Sequence, residues 1–224
     1  MTNETATPAK AEPIKATDRL LLQNQAWAQQ QHARDPAFFD RLAEAQNPTH
    51  LWIGCSDSRV AAETVTGAKP GQIFVQRNIA NLVVPTDMNL ASVLQYAVDV
   101  LKVDHVIVCG HHGCGGIKAA MGDSDFGMLN GWLRNIKDVY ERSTDELSRI
   151  AGARDREDRM CELNAIAQVH NLMRSSTIQK AWAERRAPWL HAWVYDLGDG
   201  LLHELLSVAP GTPIEAPYSF TFAK

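Results

Sequence analysis

The chain has 224 residues, 45% of them hydrophobic and 21% charged, with a formal net charge of -4. That length suits one sizeable core, and the ordinary composition suits a globular fold rather than a disordered chain. Basic residues form no stripe, and no apolar run approaches the ~18 residues of a membrane span, so neither nucleic acid nor membrane is an expected partner.

Residues 1–16 contain no apolar signal region, and Glu4 and Glu12 without any Arg argue against a transit peptide. They read as a disordered tail ahead of a single domain, 17–224, and the protein reads as cytoplasmic. The stretch "TDRLLLQNQAWAQQQHARD" predicts a helix capped by Thr17 or Asp18, with an apolar stripe from Leu20 to Trp27. Asp35 and Pro36 open a second helix, to about Gln46. This arm, 17–47, has little of its own to pack on and is expected to lie against another part of the fold or a partner chain.

Alternating segments follow. "HLWIGC" (50–55) reads as a strand, "AAETVTG" (61–67) as a short helix closed by Gly67, and "GQIFVQ" (71–76) as a second strand. "TDMNLASVLQYAVDVLK" (86–102) is helical, with Leu90, Val93, Leu94, Ala97, Val98 and Leu101 on one side. "DHVIVCG" (104–110) has the near-continuous β-branched pattern of a strand covered on both faces. Helices are expected in "MLNGWLRNIKDVYERS", "REDRMCELNAIAQVHNLMRSS" and "IQKAWAERR". "WLHAWVYDLGDGLLHELLSV" reads as two strands joined at Asp199-Gly200, and the last residues as extended chain. The fold class is therefore α/β: a mainly parallel sheet with crossover helices, an amino-terminal helical arm and a carboxyl-terminal hairpin region.

Two strands end in reactive groups. The first runs into Cys55-Ser56-Asp57-Ser58-Arg59, and the third into "CGHHGCGG", residues 109–116. In a parallel sheet both loops leave the same edge, where sites form. Cys55, His111 and Cys114 can then converge, and two thiolates with one imidazole suit zinc with a fourth position open, the mark of a catalytic site. Taken singly, each residue has a plainer role. A cysteine ending a buried strand packs; Gly113, Gly115 and Gly116 permit a tight turn or an anion nest; Asp57 with Arg59 makes a surface pair worth under about 1 kcal/mol. Cys109 and Cys161 are assigned to the core. Four cysteines are too few for a disulfide scaffold.

"CSDSRV", followed 56 positions after its cysteine by "HxxCGG", resembles the β-class carbonic anhydrases. The resemblance runs from "FFDRLAEAQNPTHLWIGCSDSRV" through "FVQRNIANLV" and "LQYAVDVLKVDHVIVCGHHGCGG" to "VYDLGDGLL", leaving out the first 16 residues and the carboxyl end. It implies zinc-dependent, reversible hydration of carbon dioxide to bicarbonate. One Zn2+ per chain would be held by Cys55, His111 and Cys114, with Asp57 and Arg59 as the catalytic dyad and Asp57 as a fourth ligand only in an inactive form. It implies substrate contacts from Gln46, contributed by a neighbouring subunit, and from Phe74, Tyr96 and Gly115. In one bicarbonate-regulated subgroup, Trp52, Arg77 and Tyr195, supported by Val60, would hold a second, inhibitory bicarbonate. The family's common proline after "SRV" is Ala61 here, with only a local backbone effect expected. Dimers or tetramers are expected. Relatives that hydrolyse carbon disulfide or carbonyl sulfide share these ligands, and a non-catalytic zinc module is a further alternative.

Overall fold

The computed structural model describes residues 15–222. The expected tail, 1–16, falls outside the described residues save its last two. Contacts divide the chain into two units, Met1–Ala45 and Gln46–Lys224. Among the described residues no helix is long and apolar enough to cross a membrane.

The first unit is a helix pair, α1 (Ala16–Arg34) and α2 (Phe38–Glu44). Neither expected cap of α1 is one: Lys15 precedes the helix, and Thr17 and Asp18 lie inside its first turn. There the Asp18 carboxylate still faces the positive end of the helix dipole. The second helix begins later and ends earlier than expected. Asp35, ahead of a proline, is extended at φ -153°, and its Oδ1 accepts the Ala37 N–H at 3.2 Å, so the chain turns before it coils. Trp27 meets Phe38 and Phe39 edge-on, with ring centroids 6.1 and 5.8 Å away, and joins the two helices.

The second unit is built on a five-stranded sheet in the order β2-β1-β3-β4-β5. Its strands are β1 (His50–Cys55), β2 (Ile73–Asn78), β3 (His105–His111), β4 (Trp189–Tyr195) and β5 (Leu202–Val208). The first four in spatial order are parallel and β5 is antiparallel, as the hairpin reading required. β3 lies at the centre, buried from Val106 to His111, which its run of β-branched residues demanded. β2 starts two residues later than expected and carries on through Arg77 and Asn78, which pair with Gly54 and Cys55.

Between β1 and β2 lies α3 (Ala62–Thr66), closed by Gly67 at φ 67°. The helix after β2 is α4 (Met88–Gln95), followed by a wider π turn, Tyr96–Val100, in which the Leu101 N–H reaches back to the Tyr96 carbonyl. After β3 come α5 (Gly115–Met121), α6 (Leu129–Arg142), α7 (Thr144–Ser148), α8 (Ala153–Met173) and α9 (Ser176–Arg185). One sheet face presents Leu51, Ile53, Val106, Val108 and Leu190 to α4, α8 and α9. At its carboxyl end a second cluster packs Cys55 and Cys114 with Ile117, Leu133, Ile136 and Cys161 of α5, α6 and α8. Trp52, Ile107, Cys109, Trp193 and Tyr195 gather on the opposite face.

Candidate metal centre

Because β1 and β3 are parallel neighbours in register from His50 and His105, Cys55 and His111 end side by side. Gly113, at φ 66°, then reverses the chain so that Cys114 stands at the start of α5. One ligand atom each from Cys55, His111 and Cys114 lies within 4.8 Å of the others, and all three residues are buried. The two sulfurs are 3.9 Å apart, far beyond a ~2.05 Å disulfide, and all four cysteines are free.

His111 Nδ1 lies 3.0 Å from the His112 carbonyl, which fixes the ring and turns Nε2 toward the sulfurs. That Nε2 is buried without a hydrogen-bond partner. Such orphaned groups are rare in native interiors. A soft, buried donor set of two thiols and one aimed imidazole nitrogen fits zinc and does not fit magnesium or calcium.

The charges agree. The two thiols behave as a pair sharing one proton: hydrogen bonding between them holds the first ionisation, at Cys55, well below the ordinary thiol range and resists the second, at Cys114. For His111, burial is the largest influence and works to lower its pKa, and the Cys55 thiolate, the His112 backbone and the Asp57 carboxylate together outweigh it, so the net shift is upward. Cys109 and Cys161 are pushed up by burial, Cys161 to about 12, so both stay thiols, as expected of core residues.

Asp57 faces this trio. Arg59 donates from Nε to Oδ1 at 2.9 Å and from Nη2 to Oδ2 at 2.6 Å, a two-pronged grip, and its backbone N–H adds a third bond to Oδ1. The Arg59 side-chain hydrogen bond comes first among the causes that hold the Asp57 carboxyl well below the usual carboxylate range. Asp57 Oδ2 lies 3.7 Å from His111 Nε2. Arg77 holds the backbone beneath: Nε donates to the Cys55 carbonyl at 2.8 Å and Nη2 to the Asp57 carbonyl.

The other residues singled out in the sequence fall into three groups. Gly115 is beside Cys114, at the first position of α5. Trp52 and Tyr195 share one apolar cluster on the sheet face away from Cys55, and strand alternation puts Arg77, paired with Gly54, on that face too. Trp52 is wholly buried, yet its Nε1 has no hydrogen-bond partner. Val60 is buried, and its N–H bonds the Asp57 carbonyl at 3.1 Å. Phe74 and Tyr96, by contrast, are not drawn to the metal cluster of their own chain. Phe74 stands opposite Leu51, four residues up the strand from Cys55, or about 13 Å at ~3.3 Å per residue. Its ring lies 5.8 Å from that of Tyr96, and Gln46 is exposed.

Sequence reasoning missed the supports. His112 sits between Glu162, 3.3 Å from its Nε2, and Asp196, 3.4 Å from its Nδ1, while Asp158 accepts the Gly113 N–H at 3.0 Å. A row of amides on α8, the buried Asn164 and Gln168 and the half-buried Asn171, grips the turn after β2. The available signal was their helical spacing within an otherwise apolar stripe.

Residues 50–202 match the family model for carbonic anhydrase. The chain is 43% identical over 206 residues to a carbonic anhydrase of Emericella nidulans, covering 91% of this chain and 90% of that one. A crystal structure of tetrameric β-carbonic anhydrases from Sordaria macrospora superposes with a TM-score of 0.83 at 42% identity, over 86% of this chain and 98% of that one. A Coccomyxa β-carbonic anhydrase in complex with acetazolamide gives 0.83 at 38% identity, over 88% and 89%.

Proposed function

The chain belongs to the β-class carbonic anhydrases, zinc enzymes that interconvert carbon dioxide and bicarbonate, and we propose that Cys55, His111 and Cys114 hold the zinc while Asp57 and Arg59 serve the hydration step. The observation that carries the assignment is the buried trio, with an imidazole nitrogen aimed at two sulfurs and bonded to nothing else. Two thiolates would cancel the charge of a zinc they held, so the metal would acidify a neighbouring water less than one held by three imidazoles, and would supply the nucleophile at alkaline rather than neutral pH.

The chain's own groups do the rest. Arg59 occupies both oxygens of Asp57, so the carboxylate stays ionised and is restrained from turning onto the metal. Asp57 accepts a hydrogen bond from the attacking water and points a lone pair of that oxygen at carbon dioxide. Gly115, next to Cys114 at the start of α5, would contact the substrate. Gln46, Phe74 and Tyr96 serve the centre of a neighbouring subunit in a dimer or tetramer. The distance of Phe74 and Tyr96 from their own centre and the tetrameric Sordaria relatives support that reading.

Bicarbonate also inhibits, from a second site formed by Trp52, Arg77 and Tyr195 with Val60 in support. The unpartnered Trp52 Nε1 supports it, because a buried donor without an acceptor is a place for one. Arg77 supplies the coupling. An anion that drew its guanidinium away from the Cys55 and Asp57 carbonyls would loosen the segment carrying Asp57 and free its carboxylate to ligate a zinc held by the trio in place of water.

Stopped-flow hydration of carbon dioxide between about pH 6.5 and 9, with and without bicarbonate, tests both parts. Activity rising above neutral pH and suppressed by bicarbonate is expected. A profile already flat at the acid end contradicts the thiolate argument. Full bicarbonate sensitivity in Trp52→Ala removes the second site, and turnover of carbonyl sulfide without carbon dioxide moves the enzyme to the sulfur substrates.

A further inference from the structure

The His111 imidazole is held through its Nδ1. The partner 3.0 Å away is the backbone carbonyl of His112, and a carbonyl only accepts, so Nδ1 carries a proton and donates it. The free lone pair then lies on Nε2, the tautomer that a metal facing Nε2 requires. That carbonyl belongs to the peptide group joining His112 to Gly113. The N–H at the other end of the same group donates to Asp158 Oδ1 at 3.0 Å. One planar peptide unit therefore carries an imidazole N–H on its oxygen and a carboxylate on its nitrogen.

The surroundings fix this unit. The His112 N–H donates to the Tyr195 carbonyl at 3.0 Å, and the His112 ring stands between Glu162 and Asp196. Glu162 is held in turn by Arg159 Nη1 at 2.6 Å. Asp158 and Glu162 are one turn apart on α8, so one helix face addresses both residues of the peptide unit. The other oxygen of Asp158 lies 3.7 Å from Arg154 Nε, on a side chain that is 85% exposed, and such a pair is weak. The bond to the peptide N–H is thus the main one this carboxylate makes.

We propose that Asp158 is a positioning residue for the metal centre: its carboxylate holds and polarises the His112–Gly113 peptide, strengthening the carbonyl that orients His111 and raising the donor strength of Nε2. The inference rests on His111 being a zinc ligand. Ligating imidazoles are commonly backed by a carboxylate on the remote ring nitrogen, which fixes the tautomer and raises basicity. Here the carboxylate acts through one peptide group instead of directly. Hydrogen bonds in series strengthen one another, and a bond to an ionised acceptor is roughly twice as strong as a neutral one. The charge of Asp158 therefore matters as well as its place.

The test compares zinc-loaded and cobalt-substituted forms of the full chain as wild type, Asp158→Ala, Asp158→Asn and Glu157→Gln. Zinc retention against a chelator should weaken roughly 10–100-fold in Asp158→Ala. Asp158→Asn should lose less, because its amide oxygen still accepts the N–H without the charge. In the cobalt form, the paramagnetically shifted, exchangeable Nδ1–H signal of His111 should move and exchange faster with solvent, in the same order of variants. Glu157→Gln removes an equal charge from the neighbouring residue, whose carboxylate faces Lys118 Nζ at 3.7 Å, and should change neither readout. If Asp158→Ala does not fold, Asp158→Asn, equal in shape, is read alone against Glu157→Gln. Unchanged retention and an unmoved signal in a folded Asp158 variant overturn the proposal. Equal changes in Glu157→Gln overturn it too, since charge alone would then explain them. A wild-type cobalt form without such a ring N–H signal overturns the assignment of His111 as a ligand through Nε2, and this inference with it.

Discussion

At the scale of single residues, the site depends on which partner Asp57 keeps. Its two oxygens are held by Arg59, and this bonding sets the carboxyl pKa far below its ordinary value. A carboxylate depressed in the folded state contributes stability that is present above its unfolded pKa of ~3.9 and lost only as pH falls through the folded value. Between pH 6 and 9 that window is far away, so Asp57 stays ionised and the alkaline rise in activity does not report its titration. Arg59→Ala removes the restraint while disturbing little else, since 56% of the Arg59 side chain is exposed. It should cut kcat/KM by at least about 100-fold, as expected when a group that orients the nucleophile is lost, while the melting temperature stays within about 2 °C of wild type. Unchanged kcat/KM in a zinc-loaded Arg59→Ala protein would remove Asp57 from the reaction.

At the scale of elements, the central strands were legible, as was α3 through its closing Gly67, while the short helices α5 and α7 were not. β1 and β3 stood out because a buried parallel strand must be apolar on both faces, and both end abruptly in polar groups. α5 and α7 have only 7 and 5 residues, too short for an apolar period to repeat. The end of α4 read as ordinary helix because one wide turn displaces no hydrophobic residue from its face. In the site, the ligands and dyad were legible as unusual chemistry at strand ends. The supporting amides and Ala80, left-handed at φ 64°, were not, because alanine carries no mark of its φ. One legible feature went unused: Gly54 inside the apolar run of β1, a position where a missing side chain signals close approach. A Cβ there would overlap Trp52 Nε1 and stand 3.0 Å from Cδ1. Trp52 is wholly buried and has nowhere to move. Gly54→Ala should therefore cost about 1–3 kcal/mol, a drop of roughly 2–12 °C in melting temperature, and should weaken bicarbonate inhibition if the indole borders the second site. A variant as stable and as bicarbonate-sensitive as wild type would mean that the indole can reorient freely.

At the scale of the whole molecule, one chain is an incomplete enzyme on this reading. The metal-ligating trio, Asp57 and Arg59 come from strand ends within it, while Phe74 and Tyr96 stand away from them and Gln46 is exposed. The helix pair of the first unit also exposes Leu20, Leu21 and Leu22 at 66%, 64% and 52%, more apolar surface than a helix turned wholly to water carries. A subunit-mixing experiment separates a shared site from a private one. Gln46→Ala retains its metal ligands and Cys55→Ser retains Gln46, so each homo-oligomer should be nearly inactive for a different reason. If Gln46 serves the neighbour's centre, unfolding and refolding the two together creates mixed dimers with one wholly native site. Random pairing makes half the dimers mixed, each with one native site of two, so about a quarter of wild-type activity should return. If Gln46 serves its own centre, every site in the mixture still lacks one essential residue and nothing returns. Native mass spectrometry of the same samples, which resolves the small mass difference between the two variant chains, shows that recovery tracks hetero-oligomers, and their formation without any recovery would make the centre private to one chain.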